Sequence, residues 1–382
     1  MVVNRPRSLL VALVFLVCGA CTSESASTSS APAALTTFGT STTADIAPTT
    51  QDPPTSTAAQ ATTTPPIALP VVPNVSTGWS VAAGDLLVAN GSGVHVVRDG
   101  VTVANPVTSP VESAFADGSG GIVILTPDAD RYPNYWPDPY SGGGRVVWRV
   151  SPNGSAQALY TSDAPEGNTW GTLNLYQVDV VAPVSEALSV IFTRREPFSN
   201  EPYSWDWDRV WVLPLDGTAI PTLIPAETPG EGGVTGLGWQ QLDDRLLMST
   251  ESDGGASLSL WSSAGDPLEW PTNPMEGEDA HLRATTIPGT TLIAFAEGRF
   301  FAESVDLVIF DTETGTAVGR IHVIEADRLA AVKMLHANSQ FVAVSWIRIE
   351  NGKWTHQPVL IYNLATGTIT ELTLVGVATL VG

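Results

Sequence analysis

The stretch Val359–Gly367, VLIYNLATG, runs from apolar and β-branched residues into a turn closed by glycine, and it is the last of six such stretches. The others are VHVVRDG ending at Gly100, VVWRVSPNG at Gly154, VWVLPLDG at Gly217, LSLWSSAG at Gly265 and LVIFDTETG at Gly315. Their closing glycines are 54, 63, 48, 50 and 52 residues apart. Glycine suits the left-handed position that closes a hairpin at little steric cost. Upstream of each glycine lies a second apolar run: DLLVAN, GGIVILT, LSVIFTR, RLLMSTE, TLIAFAE and FVAVSWI. A third precedes it, as in GWSVAAG, VESAFADG, NLYQVDV, GLGWQQL, LRATTI and AVKMLHA. Three strands before the glycine and one after it make a four-stranded unit of about fifty residues, repeated six times.

One such unit cannot bury both of its faces, so stacking in a closed ring is the economical solution. The sequence therefore predicts an all-β fold over residues 75–382, a six-bladed β-propeller of four-stranded blades. The tail ELTLVGVATLVG is available to supply the last outer strand and to close the ring with the N-terminal strands. A two-sheet sandwich is the alternative arrangement of short, evenly spaced strands. The turns DTETG and NLATG resemble those of YVTN-, TolB- and WD40-like propellers, in which Asp or Asn opens the turn between third and fourth strands. That resemblance implies a propeller and no particular activity.

Residues 21–74 differ in kind. They are almost wholly Ser, Thr, Ala and Pro, with Glu24, Asp45 and Asp52 as the only charges. So little apolar area cannot offset the entropy of ordering a backbone, and this segment is expected to be a disordered tether spanning roughly 40 Å root mean square. Before it, residues 1–20 carry Arg5 and Arg7, an apolar run from Leu9 to Val17, and small residues ahead of Cys21. That run is too short to cross a bilayer and fits a secretory signal. Cys18-Gly19-Ala20-Cys21 resembles a bacterial lipobox, which implies lipid attachment at Cys21. The Thr/Pro-rich tether resembles those of actinobacterial surface lipoproteins. Ordinary secretion with a coincidental cysteine is the competing reading. The expected location is outside the cytoplasm, anchored to the cell membrane through the N-terminal lipid.

The formal charge of −22 disfavours nucleic acid and anionic headgroups as partners. With Cys18 removed and Cys21 lipidated, no thiol remains for a disulfide, a nucleophile or a metal. Two connections between second and third strands are long and aromatic. The blade-two segment 126–145, TPDADRYPNYWPDPYSGGGR, holds Tyr132, Tyr135, Trp136 and Tyr140. The blade-three segment 193–209, TRREPFSNEPYSWDWDR, holds Tyr203, Trp205, Trp207, Asp206 and Asp208. Stiff rings beside carboxylates suit recognition of a glycan or an envelope protein; the same rings would equally serve to pack the two segments together. Asp128, Asp130 and Asp138 offer oxygen ligands for Ca2+, without the spacing of an EF-hand loop. His281 and His336 fall near innermost strands and approach the central channel, where lactonase-type six-bladed propellers hold a metal. No cofactor is otherwise implied. No G-x-S-x-G elbow or phosphate loop precedes a helix. The leading expectation is a non-enzymatic binding or scaffold module, the alternative an envelope hydrolase or lactonase-like enzyme using the channel.

Overall fold

The computed structural model describes residues 70–127, 145–161, 178–184, 189–197, 206–217, 221–227, 232–240, 245–252, 255–269, 283–298, 304–325, 330–350 and 353–382. Blade 1 contains β1 (Leu86–Asn90), β2 (Gly93–Arg98) and β3 (Val101–Val107). Blade 2 contains β4 (Ser113–Ala116), β5 (Ile122–Pro127), β6 (Arg145–Val150) and β7 (Ala156–Thr161). Blade 3 is built from β8 (Val178–Pro183), β9 (Ser189–Pro197), β10 (Asp206–Pro214) and β11 (Thr222–Glu227). In blade 4 stand β12 (Gly232–Gln240), β13 (Arg245–Ser252), β14 (Gly255–Ser262) and the two-residue β15 (Pro267–Leu268). Blade 5 follows with β16 (Arg283–Thr286), β17 (Leu292–Glu297), β18 (Ser304–Asp311) and β19 (Thr316–Glu325). Blade 6 has β20 (Ala330–Ala337), β21 (Phe341–Glu350), β22 (Lys353–His356), β23 (Pro358–Asn363) and β24 (Thr368–Val375), with β22 pairing only on β21. The final strand, β25 (Val377–Leu380), pairs antiparallel with β1 and becomes the innermost strand of blade 1.

Each innermost strand touches the next in the order β25, β4, β8, β12, β16, β20 and back to β25, which closes the ring of six. The apolar core is divided to match, into six layers, one between each pair of neighbouring blades. Period-two alternation explains how one strand serves two layers. On β5, Ile122 and Ile124 enter the layer against blade 1 while Val123 and Leu125 enter the layer against blade 3. Leu246 and Leu247 of β13 divide in the same way between blades 3 and 5. Second and third strands are covered on both faces, so they read as continuous apolar runs. The outer β24 instead alternates, with Ile369 turned in and Thr370 out.

The six turn glycines of the repeat all take positive φ, between 66° and 89°. The predicted inner strand of blade 1, Gly78–Gly84, is not a strand. Trp79 and Val81 are buried in the layer between blades 1 and 2, and β25 occupies the inner position instead. Residues 70–74 are described as well, and Asn74 O accepts Thr108 N–H at 3.0 Å while Val75 bridges to Val107.

Several bonds hold β25. Ala378 N–H donates to Ser345 Oγ at 2.8 Å, Thr379 Oγ1 donates to Ala114 O, and Val381 N–H donates to Asp85 O at 2.8 Å. Gly376 precedes it at φ 148°, where an added Cβ would stand 2.3 Å from Ala89 O. Deleting residues 377–382 should therefore open the ring. We expect a lower melting temperature and a broadened transition, with partial recovery when a synthetic 376–382 peptide is added; an unchanged melt would refute the closure described here.

Candidate functional site

Antiparallel alternation sorts the connections onto two faces. Turns joining first to second and third to fourth strands share one face. Turns joining second to third strands share the other with the links between blades.

The first face is closed by polar clamps. Asp85 is buried and takes a bidentate contact from Arg98, with Nε–Oδ1 at 2.7 Å and Nη2–Oδ2 at 2.8 Å, besides Ala82 N–H at 2.9 Å. In blade 2, Asp117 is 2 % exposed and accepts Ser119 N–H, Ser119 Oγ–H, Gly121 N–H and Arg149 Nε–H. Arg149 also donates to Leu215 O at 3.0 Å, stapling blade 2 to blade 3. Burial works to raise both carboxyls, yet the donors outweigh it and hold each below its ordinary value. Their stabilisation is present above about pH 3.8 and lost as pH falls through the lower folded values. Every carboxylate oxygen here has a partner inside the fold, so these acids are structural.

Side chains from opposite sides of the ring meet at its centre. Met334 of β20 packs against the cluster of blades 2 and 3 that contains Phe115 and Val181. The Phe115 and His336 rings lie 5.8 Å apart. His336 Nδ1 accepts Leu380 N–H at 3.1 Å, which needs a lone pair on that nitrogen and places the ring proton on Nε2. As a metal ligand it would have to surrender this bond. Burial pushes the His336 imidazole down to about 4. His356 is lowered as well, by burial and then by the Lys333 charge. Among the described residues, no three His, Cys, Asp or Glu side chains come together as a metal set.

The second face carries a cleft of about 230 Å³ on blade 2, lined by Pro70, Val71, Val72, Pro73, Asn74, Ser109, Pro110, Thr126, Pro127 and Val146. Thr126 Oγ1 accepts the Trp148 indole N–H at 2.9 Å, and Arg145 Nε donates to Glu112 at 2.6 Å. Pro127 and Arg145 face each other in the β5–β6 ladder, so the blade-two aromatic segment leaves from the cleft and returns beside it. Tyr132, Tyr135, Trp136 and Tyr140 lie outside the described residues, with Asp128, Asp130 and Asp138; so do Tyr203, Trp205 and His281. In blade 3 the expected connection is shorter than the sequence suggests. β9 extends to Pro197 and β10 starts at Asp206, pairing Asp206 with Pro197, Trp207 with Glu196 and Asp208 with Arg195. Asp206, Trp207 and Asp208 are thus strand positions at the end of the β9–β10 ladder.

No family model matches the chain, and no curated protein is similar to it in sequence. Solved structures are similar in chain path. A TolB candidate from Agrobacterium tumefaciens aligns over 77 % of this chain and 90 % of its own, at 11 % identity and a TM-score of 0.44. Apo AztD from Citrobacter koseri aligns over 78 % and 98 %, at 12 % identity and a TM-score of 0.37. A prolyl endopeptidase aligns over 80 % of this chain at 12 % identity and a TM-score of 0.40; the chain spans 43 % of that enzyme. At these values no activity carries over. The six-bladed assignment rests on the ladders and inter-blade layers above.

The centre of the ring makes a pH prediction. An imidazole that titrates near 4 when folded and near 6.5 when unfolded stabilises the fold fully above pH 6.5 and loses that contribution as pH falls toward 4. The loss amounts to about 3 kcal/mol at most. Chemical denaturation between pH 4 and 7 should show a steep slope in the native chain and a flatter one in His336→Gln; equal slopes would remove His336 from this role.

Proposed function

We propose that this chain is an exported, lipid-anchored binding module, whose propeller offers the face bearing the long second-to-third-strand connections to a glycan or protein partner of the cell envelope. The observation that carries the reading is the blade-two cleft, with the aromatic segment leaving from its rim at Pro127 and returning beside it at Arg145. The neighbouring blade adds the β9–β10 hairpin on the same face, with Asp206, Trp207 and Asp208 at the end of its ladder. Aromatic rings suit recognition because they supply large contact area at little entropic cost.

The centre of the ring supports binding over catalysis. Met334 and Phe115 are packed there as apolar groups, and the His336 lone pair at Nδ1 is committed to the closing strand. A hydrolytic site needs converging ionisable groups in a pocket. Anchoring is supported by sequence alone: the short signal-like start, the lipobox ending at Cys21, and a Ser/Thr/Ala/Pro tether to hold the body away from the bilayer. The acidic surface argues for a partner without strong negative charge.

Two measurements test the proposal. Cys21→Ala should release the chain into the medium and abolish incorporation of labelled fatty acid; retention in the membrane would refute the lipid anchor. Replacing Trp136 and Trp205 together by alanine should reduce retention on immobilised envelope glycan or envelope protein at least tenfold while leaving the melting temperature within about 2 °C. Unfolding of the double variant would instead assign the rings to packing.

A further inference from the structure

The chain enters the ring through an apolar run whose described end stands in solvent. Ile67-Ala68-Leu69-Pro70-Val71-Val72 follows the Ser/Thr/Ala/Pro-rich stretch, and no charged residue occurs between Asp52 and Asp85. Val71 and Val72 are 63 % and 61 % exposed, side by side, while Pro73 next to them is buried. The other large exposed apolar side chains, Val101, Val103, Val318 and Val375, are spread over the outer strands β3, β19 and β24. Scattered exposed valines are ordinary, whereas an adjacent pair ending a six-residue apolar run is a surface that asks for a cover.

Three contacts fix where this pair stands. Asn74 O accepts Thr108 N–H at 3.0 Å, Val75 bridges to Val107, and Ser76 N–H donates to Pro106 O at 2.8 Å. They hold the entering chain to the end of β3, where the link to blade 2 begins, so the chain leaves the body on the second face. Turns on the opposite face present Asp99, Asp266 and Glu313, all exposed, and taking such charges out of water is costly. Pro70 and Pro73 carry no N–H, so this backbone has fewer donors to satisfy when it approaches an apolar medium.

We propose that Val71 and Val72 dock this face on the bilayer that holds the lipid at Cys21, seating at the boundary between headgroups and acyl chains. The inference rests on the lipid anchor read above and adds a contact surface and an orientation to it. The length of chain outside the described body, and the place where it joins, select this occupant. A coil of the composition of residues 22–69 keeps the body within roughly 40 Å of its anchor. At that distance the effective concentration of a tethered surface is of about millimolar order, so a contact too weak to hold a free protein is populated. Two apolar side chains suffice only in that setting, as a second signal beside the lipid. The headgroups that fit are zwitterionic, since the formal charge of −22 opposes anionic ones.

The test is hydrogen exchange on the chain from Cys21 onward, coupled through the Cys21 thiol to maleimide-bearing lipid in phosphatidylcholine vesicles. Amides in 65–76 should exchange about fivefold or more slowly than in the same chain free in solution, while those of the Asn363–Gly367 turn on the opposite face keep their rates. Val71→Asp combined with Val72→Asp should restore fast exchange, with a melting temperature within about 2 °C of the native chain because both positions are exposed. If the variant unfolds, the native comparison decides alone. No slowing, equal slowing in the 363–367 turn, or native slowing in a folded variant would each overturn the proposal. So would slowing that appears only as the density of chains on the vesicle rises, which assigns the valines to a second copy. Coupling at Cys21 separates this result from the anchor itself: a chain carrying no fatty acid in cells refutes the anchor, whereas unchanged exchange on the vesicles refutes the docking alone.

Discussion

Four residues at the C-terminus, Val377–Leu380, hold a ring of six sheets closed. A propeller blade has no stability of its own, since both faces of its middle strands are apolar and need a neighbour. Five of the six inter-blade layers form between segments that adjoin in the chain, but the layer between blades 6 and 1 joins the two ends of the body. It contains Leu86, Val88 and Val97 from one end and Ala343, Val359, Ala378 and Leu380 from the other. The ladder of β25 on β1 is therefore the contact on which the other layers depend, because an open ring would expose the terminal faces. The Leu380 N–H to His336 bond and the Thr379 to Ala114 bond tie the same strand to blades 6 and 2, so the closing strand is held on three sides.

Much of this is legible in the sequence, for a local reason. The apolar runs and the glycine at each third-to-fourth turn are short-range signals, and Gly100 through Gly367 fall at left-handed positions as the pattern requires. What the sequence misassigns is non-local. Gly78–Gly84 has the look of a strand, with Trp79 and Val81 alternating as in the other blades, yet its place is filled by residues almost three hundred positions away. Pattern alone cannot choose between two segments competing for the same ladder when loop closure and packing decide. The blade-three hairpin errs the other way: charged and aromatic residues at 194–197 and 206–208 resemble a loop, but their backbones continue the ladder, because pairing depends on the strands beside them more than on residue type.

The cleft escapes sequence reading for a related reason. Pro70–Asn74 ends a Pro/Ala/Thr-rich segment and is expected to belong to the tether, and Ser109–Pro110 is an ordinary interstrand link. Neither stretch carries a motif. They meet only because Val75 bridges to Val107 and draws the incoming chain along the outer strand of blade 1. The one usable signal is the density of proline, at 70, 73, 110 and 127, which fixes φ and removes donors that would otherwise need satisfying in a confined wall. The aromatic segments, by contrast, announce themselves by composition, and their roots at Pro127 and Arg145 stand beside the cleft that composition does not reveal.

Polar clamps on one face of the ring belong to the scaffold. On one face, Asp85, Asp117 and Asp311 are each saturated by guanidinium, hydroxyl or backbone donors within a turn or an adjacent strand. Such clamps rigidify a fold and leave nothing for a ligand to complete. On the other face, Val71 and Val72 are exposed, and Ser109 Oγ is buried with no hydrogen-bond partner among the described residues. The bidentate Arg98–Asp85 pair and the Arg149 bonds to Asp117 and Leu215 accordingly help to hold the blades in register.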